Sequence, residues 1–415
     1  MEILSANLNS CLKRRKEDGR LMTPYVMSTH SEKVDFASND TLSLSSSRDL
    51  SKAFLEELDR NAGFEIGSGS SRSLSGTTEY LANLESKLRD FHGAEEAIIF
   101  NSGFDANVAL WSTVPQIGDV VLYDEYVHAS IHDGMRRGRA RTQSFRHNDF
   151  VDLRKHLTEL KTDEGVAEGQ KVVFVAVESF YSMDGDVVPL EEMVKVAKEM
   201  LPKGNAVLVV DEAHSNGIVG PNGSGVVSHL GLESHIGLRV HTCGKALGST
   251  GAVLLCNKAI KSYLINYARN AIFSTAPTFV TLAGIRAGYN LLASETGHRR
   301  RHNLERNVQL FHRLLQEHST WQEGSKQDVL SVVDGATRLS GPFYCPIVAM
   351  MTRPGESDDL ADTIRCAGYL INPVKYPIVP KGLERVRIML HADNTDEQIL
   401  DLVQVIVGWL KERME

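Results

Sequence analysis

The sequence predicts an α/β protein with a mostly parallel sheet, covered by helices on both faces, joined to a smaller α+β unit. Short, mainly apolar runs at 95–100, 120–123, 171–177 and 206–210 read as strands. Segments of helix length separate them, and this alternation is the pattern of a doubly covered parallel sheet. Beyond about residue 290 the character changes. Segments 1–48, 49–290 and 291–415 are therefore expected as an N-terminal segment, a large domain and a C-terminal small domain.

Each element has a local reason. Residues 13–16 are basic within a polar N-terminal stretch lacking an apolar core, which suits a solvated helix better than a signal or transit peptide. Leu81, Leu84, Leu88 and Phe91 recur at helical spacing and mark an amphipathic helix. Residues 189–200 read as another helix, with Pro189 at its start. Strand-like runs at 238–241 and 251–256 flank a short Gly-containing segment, and a helical stretch rich in Arg and His runs from 277 to about 316. In the last part, strands at 346–351 and 385–390 lie among helices at 357–367 and 395–410.

Charge and cysteine usage exclude several function classes. Asp and Glu total 53 against 45 Lys and Arg, a net charge of -8 that is the wrong sign for a dedicated nucleic-acid or anionic-membrane binder. Five scattered cysteines without a C-x-x-C pair indicate neither a disulfide framework nor a metal site, and fit a reducing, cytoplasmic setting. No apolar run approaches the roughly 20 residues that span a bilayer.

Three constellations carry chemistry. Asp211-Glu212-Ala213-His214 follows a buried strand directly. The same letters occur in nucleotide-hydrolysing helicases, but no G-x-x-x-x-G-K-[ST] phosphate loop lies upstream, so that reading fails. What remains is an acid at the carboxyl end of a parallel strand, where ligands of doubly wound sheets sit. Lys245, in H-T-C-G-K-A-L-G, is flanked by residues small enough for close packing against a flat ligand; alone it would read as a solvated turn lysine. Together with Asp211 and His214 it supplies what a pyridine cofactor needs, an imine-forming amine and an anion for the ring nitrogen. Asn101-Ser102-Gly103-Phe104 opens a helix after a strand; it is either a phosphate cradle of free N–H groups or simply a helix capped by Ser102.

In order along residues 33–410 the chain also contains F-A-S-N-D-T-L-S-L, G-S-G-S-S-R-S-L-S-G-T, L-E-S-K-L, F-N-S-G-F-D-A-N, D-E-Y-V-H-A-S, H-N-D, E-S-F-Y-S-M-D-G-D-V-V-P-L, F-S-T-A-P and R-V-R. This set resembles the α-oxoamine synthase family of fold-type I enzymes dependent on pyridoxal 5'-phosphate (PLP), with a motif style nearest to the 8-amino-7-oxononanoate synthases. The resemblance implies a large domain with a seven-stranded type of sheet. It also implies a decarboxylating condensation of an α-amino acid with an acyl thioester, borne by coenzyme A or an acyl carrier protein, in a homodimer with shared sites. The product would be an α-amino ketone, made either for biotin or, with another acyl chain, for secondary metabolism or a sphingoid base.

Carried over residue by residue, the resemblance makes Lys245 the Schiff-base lysine, Asp211 the partner of the pyridine nitrogen, and His128 the residue stacked on the ring. His214 and Ser182 would contact the phenolic oxygen. Ser102, Gly103, Phe104 and Thr242 would hold the phosphate, joined by Ser274 and Thr275 from the neighbouring subunit. Asn39, Ser71 and Arg387 would bind substrate, with Arg387 matching the amino acid's carboxylate. Ser70, Leu81, His391, Thr41 and Ser43 depart from the family pattern, all near the expected substrate pocket. The basic run Arg136 to Arg141 reads as a solvated face or, alternatively, a contact for coenzyme A phosphates.

Overall fold

The computed structural model describes residues 1–22, 33–333 and 345–415. A seven-stranded sheet lies at its centre, in the spatial order Glu96–Phe100, Ala252–Cys256, Leu238–Thr242, Ala206–Asp211, Val173–Glu178, Val120–Asp124 and Arg141–Phe145. Ala252–Cys256 is antiparallel to both its neighbours, and all other pairings are parallel.

Alternation of side chains across each strand explains why these segments are apolar throughout. Val173, Val175 and Val177 face a layer built on helices Phe150–Leu160 and Leu190–Met200. Phe174 and Ala176, one residue out of phase, face the opposite layer with Leu110, Trp111 and Ile131 of helices Gly103–Thr113 and Ala129–Arg137. A strand sandwiched in this way has no solvent face on which to place polar residues.

A second sheet, antiparallel and four-stranded, runs in the order Asn372–Val374, Arg385–Met389, Ile347–Thr352 and Leu330–Val332. Helices Glu295–Glu317, Ser357–Cys366 and Asp396–Met414 share its core. The helical stretch expected from 277 to 316 is two helices, Phe279–Leu292 and Glu295–Glu317, because Ser294 starts a new one by accepting a hydrogen bond from the Gly297 amide. Residue 290 lies inside the first of them.

The segment before the large domain is strapped to this second unit. Val34–Asp35 pairs in parallel with Tyr369–Leu370, and the Met389 amide donates to the Phe36 carbonyl at 2.9 Å. Buried Arg300 donates to the Leu42 carbonyl at 3.0 Å, to Ser47 Oγ at 3.1 Å and to Asp393 at 3.0 Å. The N-terminal helix Glu2–Glu17 buries none of its residues, as its polar sequence predicts. All five cysteines are unpaired, and no helix among the described residues is long and apolar enough to cross a membrane.

Candidate active site

Five strands end at one edge of the large sheet, and their last residues, with those just beyond, build the site: Phe100, Asp124, Glu178, Asp211 and Thr242. Lys245 sits nearby on the turn between Leu238–Thr242 and Ala252–Cys256. That turn is closed by hydrogen bonds from the Cys243 amide to the Gly251 carbonyl at 2.8 Å and from the Ser249 amide to the Cys243 carbonyl at 3.0 Å. Desolvation draws the Lys245 amine down to about 8, although Asp211 and Glu178 pull the other way. It is thus far closer to a neutral nucleophile at physiological pH than a solvated lysine is.

Asp211 is 7% exposed and held on both oxygens, Oδ1 accepting from the Ala213 amide at 2.9 Å and Oδ2 from Asn107 Nδ2 at 2.8 Å. The same Asn107 nitrogen donates to Ser130 Oγ at 3.0 Å, and Ser130 is hydrogen-bonded to His128 Nδ1 at 2.7 Å. The His128 ring is exposed into the open space beside Asp211, and burial lowers its pKa. His214 is buried, and desolvation, followed by the charges of Lys245 and Arg387, holds its pKa well below the ordinary value, so it is a neutral imidazole.

Arg387 reaches the same place from the second sheet. Its Nη1 donates to the Ser182 carbonyl at 3.0 Å and its Nη2 to Asn39 Oδ1 at 3.4 Å. Arg385, two residues earlier and therefore on the same face of the strand, forms an ion pair with buried Asp184 a little further along the same loop. The intervening loop is pressed against this sheet: Gly185 has φ +76°, and a Cβ there would overlap the Ile347 carbonyl.

Ser102 caps helix Gly103–Thr113 by accepting from the Asp105 amide at 3.0 Å, so the capping role is realised while the first N–H groups of the helix remain directed outward. A Cβ at Gly103 would stand 3.3 Å from Thr242 Cβ and Oγ1, so glycine keeps the gap between the helix start and Thr242 open. Phe104 is 44% exposed. A buried amine, a paired carboxylate, an open imidazole and a helix N-terminus facing a threonine suit an aldehyde-bearing, phosphorylated pyridine.

Ser71, Ser274 and Thr275 form a separate cluster. Ser71 bridges to Thr275, the Ala276 amide donates to the Ser70 carbonyl at 2.9 Å, and Ser274 Oγ donates to the Asn270 carbonyl at 2.5 Å. Ser274 and Thr275 line a cavity of about 210 Å³ with Asn101 and Asp105, close to exposed Phe273. The basic run at 136–141 lies elsewhere: Arg141 begins its parallel strand and so stands at the sheet edge opposite Lys245, while Arg136 is paired with Asp133 at 2.7 Å.

Sequence reasoning gave no role to Asn107, Glu178 or His147. Glu178 is buried beside Asp211 and Lys245, and its carboxyl pKa is driven well up, first by desolvation and then by Asp211. His147 bridges Asp124 at 2.8 Å and Asp186 at 2.6 Å. The H-N-D and D-G-D segments contained a signal for that bridge, but the spacing does not show that they meet.

Comparison with known proteins agrees with this geometry. Residues 31–406 match the aminotransferase class I and II family. An 8-amino-7-oxononanoate synthase of Emericella nidulans is 42% identical over 416 residues, covering 99% of this chain and 97% of that protein. The aminoacyl transferase sphA of Aspergillus fumigatus is 39% identical, covering 99% and 88%. The structure of a serine palmitoyltransferase from S. paucimobilis with PLP and myriocin bound superposes with a TM-score of 0.80 at 27% identity, covering 98% and 97%.

The chain therefore belongs to the aminotransferase class I and II family of PLP-dependent, fold-type I enzymes. Within that class it is an α-oxoamine synthase, an acyltransferase that condenses an amino acid with an acyl thioester.

Proposed function

We propose that this enzyme acts as a homodimer whose two sites are shared, and that it releases carbon dioxide as it forms an α-amino ketone. Two settings suit it: the biotin route, as the name of the E. nidulans relative suggests, or the building of an amino ketone on another acyl chain, as the aminoacyl transferase and serine palmitoyltransferase likenesses suggest. The acyl group would arrive on coenzyme A or on an acyl carrier protein.

The observation that carries the residue assignments is the convergence of Lys245, Asp211, His214, His128 and Arg387 from four separate stretches of chain onto one edge of the sheet. Bound pyridoxal phosphate supplies the electron sink that makes a proton at the amino acid's Cα removable. Lys245, with its depressed pKa, is the base for that proton. Asp211 keeps the ring nitrogen protonated by its negative charge, and Asn107 holds Asp211 in place. His128 would cover one face of the ring, while Ser182 and His214 would contact the phenolic oxygen. Ser102, Gly103, Phe104 and Thr242 hold the phosphate through N–H groups and a hydroxyl, with Ser274 and Thr275 contributed by the partner. Arg387 and Asn39 grip the carboxylate that departs after condensation, and Ser71 contributes to substrate binding.

The test is a coupled assay of the PLP-loaded protein, in which alanine, glycine and serine are offered with a series of acyl thioesters and carbon dioxide and free thiol are measured together. Equimolar release of both is expected. Amino-group transfer or aldol cleavage without thiol release would refute the condensation.

A further inference from the structure

A cavity of about 780 Å³ opens beside His128, Ala129 and Ser182, on the side of the site away from the sheet interior. It has the volume of a small-molecule site. Its walls are largely hydrocarbon and aromatic, drawn from Tyr126, Val127, Met183, Tyr376, Ile378 and Val379.

Three charged side chains line it: Glu125, Asp184 and Arg385. The guanidinium is already held, since Nε and Nη2 donate to the Leu383 carbonyl at 3.0 and 2.8 Å and Nη1 pairs with Asp184. The two lining imidazoles, His128 and His132, are both pushed toward the neutral form, first by desolvation. Among the described residues lining the cavity, two carboxylates thus accompany one cation, which is already paired with one of them, and no second Lys or Arg lines it.

We propose that this cavity receives the chain of the acyl thioester and selects a chain with an uncharged hydrocarbon end over one that ends in a carboxylate. The inference rests on the condensation assigned above and narrows its acyl donor. A terminal carboxylate brought into these walls would lose its hydration without gaining an unpaired cation and would meet the field of Glu125 and Asp184. An alkyl end gains from the same walls by leaving water. The product of an 8-amino-7-oxononanoate synthase, as its name states, ends in a carboxylate, so the proposal sets this chain apart from the E. nidulans relative in substrate although the two are 42% identical.

The experiment compares decanoyl and sebacoyl thioesters, which have the same ten-carbon chain with and without a terminal carboxylate. Each is offered to the PLP-loaded enzyme as the coenzyme A and N-acetylcysteamine ester. The kcat/KM for decanoyl is expected to exceed that for sebacoyl by about tenfold or more. Equal or reversed values would overturn the proposal while leaving the condensation intact. Carbon dioxide from neither chain, with any of the three amino acids, would overturn the condensation and the proposal together. Ile378→Arg adds an unpaired cation to the wall and is expected to shift the ratio toward sebacoyl by about tenfold; the visible absorbance of the bound cofactor reports that the variant is folded and loaded. An unchanged ratio in a loaded variant would mean that the chain end does not lie in this cavity.

Discussion

Asn107 illustrates how much of the site depends on one side chain that touches no reacting atom. Its amide nitrogen uses both hydrogens, one on Asp211 and one on Ser130, and through Ser130 it sets the imidazole of His128. Asn107→Ala is expected to leave the cofactor bound but lower kcat by about tenfold to a hundredfold, the scale of a lost hydrogen bond to a charged group, about 1.5–3 kcal/mol. Steady-state kinetics on the fully loaded variant check this; an unchanged kcat would show that Asp211 and His128 hold their places unaided. Arg387 gives a complementary prediction. Arg387→Leu should weaken amino-acid binding by a few kcal/mol, and Arg387→Lys should recover only part of it, because a point charge cannot fix the plane of a carboxylate. Spectral titration of the bound cofactor with alanine, glycine and serine measures both variants; unchanged dissociation constants would move the carboxylate site elsewhere. Lys245, Asp211 and Arg387 could be singled out because they stand in short motifs whose order along the chain outweighs the local alternative each has alone, such as a turn lysine for Lys245. Asn107 was not, since its partner Asp211 is 104 residues away and nothing in a helix interior announces so distant a contact.

Among the elements, those buried on both faces were the most readable. The runs at 171–177 and 206–210 returned as Val173–Glu178 and Ala206–Asp211 because central strands require apolar residues at every position. Arg141–Phe145 escaped notice: it is the edge strand, its sequence R-T-Q-S-F is mostly solvent-facing, and only the backbone ladder to Val120–Asp124 makes it a strand. The loops after these strands are joined by His147, which links Asp124 at the end of one strand to Asp186 in the loop that follows another. Burial works against its charge, but hydrogen bonds to the two carboxylates prevail and raise its pKa from 6.5 to about 9. A raised folded-state pKa stabilises the fold fully below the unfolded value and ceases to do so as pH climbs through the folded one. The stability difference between the wild type and His147→Asn should accordingly be largest below pH 6.5 and shrink between there and about pH 9. Denaturant unfolding of both proteins across that range would show it; a difference that grew with pH would mean that His147 is neutral in its bridge.

At the scale of the whole molecule, the carboxylate grip proposed for Arg387 and Asn39 combines parts that do not belong to the large sheet. Asn39 comes from the N-terminal segment, Arg387 from the antiparallel sheet, and Arg300 fastens the first to the second. The sequence suggested a separate N-terminal piece and a C-terminal unit, but the strap between them was hidden, because Arg300 looks like any arginine in a basic helix until its partners are seen. Ser274 and Thr275 lie by exposed Phe273 rather than among the Lys245 cluster, an arrangement that suits contribution to a second subunit's site. Lys245→Ala and Thr275→Ala homodimers, each impaired, should regain activity when their subunits are exchanged, because one mixed site then has both residues. Recovery is read by the carbon dioxide assay, and a fully active monomer would refute sharing.

The single antiparallel strand of the large sheet has a mechanical consequence. Because Ala252–Cys256 returns beside Leu238–Thr242, the chain carrying Lys245 leaves and re-enters the sheet at adjacent positions, with no crossover helix between. The Lys245 amine is therefore mounted like a tool on a short bracket bolted at both feet, where the other loops at this edge span longer cantilevers through helices. Lengthening that bracket would move the amine directly, whereas the stretch 376–380, which lines the wide cavity but carries none of the residues assigned to the cofactor, can change with less effect on it. The fold thus separates a part that holds the amine in register from a wall that can be refitted to another ligand.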